Sequence, residues 1–315
     1  MAFIKSAKHV GEGYSCNLRT SEVVLKWNDM PRLLDEDERK RLQCIDMRNT
    51  IIEVIRADET QEKEDVSTMY HWFKAVSEYH RPRGTAKFAC KRSLLVDIAA
   101  PKPFKSLFVI CIKHKGMIFL FEANLTEKPK PYFYIKKAVK KLLIKPQNTD
   151  NNNNQPTGSK YSNRAVVRVE MGYNTSFKVL ISFKVNALDQ NGQFVQIKLN
   201  QWPSDEYTKV VDLRWWLQSH LVGMRRKIVG VTARTTLMYT VERDPMNYEN
   251  SDEGRVVLKR IDGFLEYVQY LMRYKKNTTW LHMKRYYGQE KWLAERLDYP
   301  RQRDPFRKCI PKELF

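Results

Sequence analysis

Two short apolar blocks, Ser106 to Ile112 and Met117 to Ala123, are rich in β-branched and aromatic residues and flank the polar Lys113-His114-Lys115-Gly116. That pattern predicts a β-hairpin. Strand composition returns at Val166 to Val169, Ser176 to Leu188 and Gln193 to Leu199, with Asp189-Gln190-Asn191-Gly192 supplying turn chemistry between the last two, and again at Lys227 to Ala233 and Leu237 to Glu242. Helical spacing sets other segments apart. Ile135, Ala138, Val139 and Leu142 recur at i, i+3, i+4, i+7, while Lys136, Lys137, Lys140, Lys141 and Lys145 fall on the opposite arc, predicting an amphipathic basic helix. Further helices are predicted over 205–221, stopped by Gly223, and over 263–274. Earlier in the chain the pattern predicts helices over 41–56, with Leu42, Ile45, Ile52 and Ile55 inward, over 65–80, and over 86–98, ending before Pro101.

Helices flanking a run of largely antiparallel strands predict an α+β fold: one domain over 1–315 with mixed sheets, a variable N-terminal part over 1–80 and a flexible loop over 146–160. The loop prediction rests on PQNTDNNNNQPTGSK, a polar low-complexity stretch that has no apolar surface to bury. No internal repeat at a fixed period is visible.

Composition narrows the classes. The 315 residues include 56 Lys or Arg against 36 Asp or Glu, a formal charge of +20, and 42% are hydrophobic. The chain can therefore bury a core, and its charge favours a polyanionic partner. The apolar run from Leu107 to Ile112 is far shorter than the roughly 20 residues a spanning helix needs, and MAFIKSAKHV lacks a secretory apolar region, so no membrane partner is expected. Cys16, Cys44, Cys90, Cys111 and Cys309 form no Cys-x-x-Cys pair, and the six histidines no His-x-x-x-His pair. Neither set suggests zinc. Walker loops, Gly-x-Gly-x-x-Gly and Gly-x-Ser-x-Gly are absent, which removes nucleotide hydrolysis, dinucleotide redox chemistry and acyl transfer. Between Tyr274 and Lys308, Trp280, Tyr286, Tyr287, Trp292 and Tyr299 interleave with Lys275, Lys276, Lys284, Arg285, Arg301 and Arg303, an arrangement that suits base stacking or, at helical spacing, core anchors and a partner surface.

One segment carries more specific information. LRWWLQSHLVGMRRKIVG, from Leu213 to Gly230, resembles the Trp-Trp-x-Gln-Ser helix and following strand of the DXO decapping-exoribonuclease family. In matching order, CKRSLLVDI (Cys90 to Ile98) resembles that family's Arg-Gly-Leu-Leu segment, and GMIFLFEANLT (Gly116 to Thr126) its Gly-x-Leu-Tyr-x-x-Glu strand. Lys184-Val185-Asn186 falls where the family has Glu-x-Asp, and Gln196-Ile197-Lys198 where it has Glu-x-Lys. Ala138-Val139-Lys140-Lys141-Leu142 is similar to its Gly-Tyr-Lys-x-Glu helix.

The resemblance implies an enzyme that hydrolyses RNA 5′ ends with two divalent metals held by carboxylates, and it implies that this chain has lost them. The degenerate metal positions would be Leu142, Lys184, Asn186 and Gln196, with no metal and no cofactor expected. Another register, using Asp189 or Glu170, would restore an acid. Arg92, Lys198 and Gln218 match family residues that contact phosphate or substrate, and Glu122 matches a strand acid. Arg92, Lys184, Lys198 and Gln218 form the expected RNA-binding set, Lys136, Lys137, Lys140, Lys141 and Lys145 being a possible basic track. The opposing reading has Arg92 paired with an acid, Lys198 exposed and Gln218 capping packing around Trp215 and Trp216. Catalytically degenerate relatives of this kind in fly germ cells imply a nuclear, non-enzymatic role in piRNA-cluster transcription, with RNA 5′ ends and the proteins Rhino and Deadlock as partners. An active metal-dependent nuclease and a pure protein-interaction module remain the alternatives.

Overall fold

The computed structural model describes residues 2–10, 13–17, 23–24, 30–59, 70, 72, 86–101, 105–123, 131–145, 161–201, 208–243, 247–275, 279–303, 310 and 314. The loop expected over 146–160, and the helix expected over 65–80 apart from the buried Tyr70 and Trp72, lie outside the described residues. In chain order the elements are β1 (Ile4–His9), β2 (Tyr14–Asn17), β3 (Val23–Val24), α1 (Glu36–Lys40), β4 (Ile45–Asp46), α2 (Arg48–Glu59), β5 (Phe88–Lys91) and α3 (Arg92–Ala99). Then come β6 (Leu107–His114), β7 (Met117–Glu122), α4 (Pro131–Leu143), β8 (Tyr161–Met171), β9 (Phe177–Lys184), β10 (Ala187–Leu188) and β11 (Phe194–Gln201). The chain continues through α5 (Thr208–His220), β12 (Arg226–Ala233), β13 (Thr236–Arg243), α6 (Asp252–Met272), β14 (Trp280–Arg285), β15 (Leu293–Arg296) and α7 (Pro300–Arg303).

Among the described residues these make a mixed α+β fold with two sheets. The larger runs β15-β14-β6-β7-β5-β9-β8-β2-β3, with β1 also on β8, and the smaller runs β10-β11-β12-β13-β4. Most pairs are antiparallel, but β5 is parallel to both β7 and β9, and β11 is parallel to β12. The expected hairpin is β6–β7, turning through Lys115 and Gly116, both with positive φ, as a tight two-residue turn requires.

Side-chain alternation divides the core. Phe88, Cys90, Val109, Cys111, Val179 and Ile181 face α3, α5 and α6 from the large sheet, while on its other side Ala89, Ile110, Phe119, Val166 and Leu180 cluster with Tyr14 of β2, Trp280 of β14, and Tyr70 and Trp72. In the smaller sheet, Val195, Ile197, Leu199 and Ile228 face Ile135, Ala138, Val139 and Leu143 of α4. Gly230 lets that helix close on the sheet, because a Cβ there would stand 2.6 Å from Val139 Cγ1. Nearby, the Tyr132 hydroxyl donates to the Leu199 carbonyl at 3.1 Å.

Several helix predictions are corrected. Residues 88–91 form a central strand rather than the start of a helix, since a short apolar run buried on both faces has no period to distinguish the two. The helix over 41–56 begins only at Arg48; Ile45 pairs with Leu237 in β4, and Ile52 is exposed. Helix α6 starts eleven residues before the predicted 263, at Asp252, where Ser251 Oγ accepts the Gly254 N–H at 3.0 Å. The described part of the aromatic C-terminal stretch holds two short strands, β14 and β15, and the one-turn helix α7. Trp280 is buried under Arg303, whereas Trp292 packs on Phe264 beneath Arg285, leaving Tyr286, Tyr287 and Tyr299 exposed.

Candidate functional site

Arg92 opens α3, so it stands at a helix N-terminus, where the backbone potential is positive. Its guanidinium lies over the Phe183 ring at 5.1 Å, and Nη1 donates to the Gln218 main-chain carbonyl at 3.1 Å and to Met224 Sδ at 3.3 Å. No carboxylate pairs with it among the described residues. Burial lowers its pKa to about 10.

Lys198 comes from the middle of β11. Its neighbours Ile197 and Leu199 enter the α4 core, so Gln196 and Lys198 point the other way, towards α5. Lys198 is 7% exposed; its ammonium donates to Gln218 Oε1 and lies 6.0 Å from the Trp215 ring centre. Lys227, aligned with Gln196 across the parallel β11–β12 pair, sits 5.2 Å from the same ring. Burial first, then the charges of Arg92, Lys136, Lys140 and Lys227, hold Lys198 well below the usual lysine pKa. Lys140 is held down in the same way, by burial and then by Lys136, Lys184, Arg92 and Lys137. Arg92, Lys198 and Gln218, far apart in sequence, thus meet in one pocket, and exposed Lys184 at the end of β9 adds its field.

The five lysines of the predicted basic helix do not share one track. Lys136 and Lys140 act on the pocket, and Lys137, over the Phe133 ring at 4.5 Å, adds its charge to Lys140, whereas Lys141 donates to Glu53 at 2.7 Å and Lys145 lies 3.7 Å from Glu38 and 3.9 Å from Asp35. Leu142 packs with the apolar face of α4. Two residues turn a helix by about 200°. Lys140, rather than Leu142, is therefore the residue this helix turns towards the pocket.

Asn186 Oδ1 accepts the Ile197 N–H at 3.1 Å. Gln196 is 1% exposed; its Nε2 donates to Met224 Sδ at 3.5 Å, and its Oε1 has no hydrogen-bond partner. Glu122 lies 3.9 Å from Lys105. Asp189 is bound by Arg226 at 2.6 Å and accepts the N–H groups of Asn191 and Gln193, while Glu170 accepts from Ser176 Oγ at 2.6 Å. Phe183, Met224 and Lys227 were not singled out in sequence, because only the meeting of β9, β12 and the end of α5 brings them to the pocket.

No protein-family model matches the chain, and no curated protein does. Solved structures do. The chain is similar to a mutant S. pombe Rai1 in complex with 3′-FADP, with a TM-score of 0.72 and 15% identity over 94% of this chain and 96% of that one. It is similar to K. lactis Dxo1 in complex with manganese, at TM-score 0.68 and 13% identity over 93% and 90% of the two chains. It is also similar to Candida albicans Rai1 in complex with pU5 and Mn²⁺, at 0.61 and 9% over 99% and 96%. The chain therefore has the Rai1/Dxo1 fold over nearly its whole length.

Manganese in two of these structures poses a question of fit. Divalent cations of this type require several oxygen ligands, normally including carboxylates. Among the described residues no three His, Cys, Asp or Glu side chains gather, and the pocket offers one orphan amide oxygen, Gln196 Oε1, among ammonium and guanidinium groups. Like charges at short range in a half-buried site repel strongly. These residues do not fit a divalent metal.

Proposed function

We propose that this chain is a catalytically inert protein of the Rai1/Dxo1 fold that holds an RNA 5′ end instead of hydrolysing it. The observation that carries the reading is the meeting of Arg92 and buried Lys198 on Gln218, within the field of Lys136, Lys140, Lys184 and Lys227 and with no carboxylate partner for Arg92. Such a cluster repels itself. A phosphate placed among these groups relieves the repulsion and raises the lowered lysine pKa values. By its resemblance to Cutoff, the degenerate DXO relative of fly germ cells, the protein would act in the nucleus as a scaffold in piRNA-cluster transcription with Rhino and Deadlock, shielding transcripts from normal processing.

The test is a titration of the full chain with 5′-monophosphorylated oligouridine, in EDTA and in Mn²⁺, with the products resolved afterwards. Equal binding in both buffers and intact RNA support the reading. Metal-dependent degradation returns the protein to the nucleases, and absence of RNA binding at physiological salt leaves a pure protein-interaction module.

A further inference from the structure

Beside the cation pocket lies a cavity of about 420 Å³, lined by His9 of β1, Val166 of β8, Gln193 and Phe194 at the start of β11, and Met224 and Arg225 ahead of β12. Its size suits a small organic ligand. Its aromatic wall is Phe194, against which the His9 ring sits edge-on at 5.0 Å. Gly192 and Gly223 also line it, both at positive φ with open space where a Cβ would be, so these stretches of wall carry no side chain. Met224 belongs to both sites: it lines the cavity, while its sulfur receives Arg92 and Gln196 on the pocket side.

Strand β11 connects the two. Phe194, Gln196 and Lys198 occupy alternate positions, hence one face, and at about 3.3 Å per residue they span roughly 13 Å. Along that face the chain presents an aromatic ring, then a buried amide oxygen without a partner, then an ammonium. Those are the partners that a base, a ribose hydroxyl and a phosphate require, in the order a nucleotide presents them.

We infer that the cavity is a nucleobase subsite, taking the first base of the RNA whose terminal phosphate sits on Arg92 and Lys198, with Gln196 Oε1 accepting a hydrogen bond from the ribose 2′-hydroxyl. The inference rests on the end-binding reading above and adds what that reading lacks, a means of telling a nucleotide from a bare phosphate and RNA from DNA. Met224, unbranched and flexible, is the side chain that shifts to admit the sugar.

Calorimetric titration of the full chain with inorganic phosphate, AMP and 2′-deoxy-AMP tests it. AMP should bind about tenfold or more tightly than phosphate, and 2′-deoxy-AMP should fall between them. His9→Ala and Phe194→Leu should bring AMP towards the affinity of phosphate without changing phosphate binding, and Gln196→Leu should abolish the preference for ribose. Thermal melts of each variant establish that it is folded. If AMP and phosphate bind equally while Arg92→Glu/Lys198→Glu still abolishes RNA binding, the base subsite is wrong and the end-binding reading stands. If neither ligand binds and RNA affinity ignores the pocket variants, both fall.

Discussion

Lys198 and Gln218 form the hinge of the cation pocket: the buried ammonium donates to the side-chain oxygen of Gln218, whose main-chain carbonyl receives Arg92 at 3.1 Å. One residue of the Trp-Trp-x-Gln-Ser helix thus anchors two cations drawn from a strand and from a helix N-terminus. Gln218→Leu leaves Lys198 buried without its acceptor. A hydrogen bond to a charged group contributes about 2 kcal/mol. Chemical denaturation should show a loss of that order, whereas Gln218→Glu, which supplies a counter-charge, should stabilise the fold and weaken phosphate binding.

The depressed lysine pKa values predict a pH dependence. Lys198 and Lys140 titrate below the ordinary 10.5 in the folded chain, so between their lowered values and 10.5 the unfolded state binds more protons. Their contribution to stability therefore rises with pH across that window, and their unfavourable effect is fully present below it. Melting temperatures between pH 7 and pH 10 should climb more for the parent than for Lys198→Met. Phosphate binding should move the opposite way, weakening as these groups lose their protons.

The face that α4 turns to the pocket can be read with metal. A variant carrying Lys140→Glu, Lys184→Glu, Asn186→Asp and Gln196→Glu should bind Mn²⁺, measured by calorimetry or by the paramagnetic signal of the free ion. Replacing Lys140→Glu by Leu142→Glu in that set should abolish the gain and destabilise the chain, because Leu142, partly buried, packs against the apolar core. On the inert reading proposed above, recovered metal binding brings no catalysis, because the groups that orient metal ligands are not restored with them.

Gly230→Val should push α4 off the smaller sheet. The added side chain begins 2.6 Å from Val139 Cγ1, and overpacking of this kind costs about 1–3 kcal/mol. Because α4 carries Lys136 and Lys140, phosphate affinity should fall together with the melting temperature.

Arg226→Ala should loosen the wall of the base cavity. Arg226 grips Glu242 through Nε and Nη2 at 2.6 and 2.8 Å and Asp189 through Nη1 at 2.6 Å. Asp189 is buried and also accepts from Asn191 and Gln193 in the turn leading to Phe194. Arg226 is itself partly exposed, so leaving the buried Asp189 carboxylate without it costs about 1–3 kcal/mol. Denaturant melts should report that loss, and AMP binding should weaken more than phosphate binding.

Much of this was legible in the chain itself. The hairpin at Lys115-Gly116, the strand periodicities, the apolar face of α4 and the Trp-Trp helix are local patterns, set by residues within a few positions of one another, and the structure contains each of them. Arg92, Lys184 and Lys198, and the positions expected to lack acids, are named by the resemblance to the DXO family, not by spacing. Tertiary structure decided the rest. A short apolar run such as Phe88–Lys91 has no period of its own and becomes a strand only because β7 and β9 supply its hydrogen bonds. An arc of lysines looks uniform until neighbouring elements divide it, giving Lys141 to Glu53 and turning Lys140 inward. Phe194, Gln196 and Lys198 share a face by strand geometry alone, but what that face meets depends on Gln218, Met224 and Arg92, which lie on other elements. Patterning fixes which way a side chain leaves its own element, and only packing determines what it finds there.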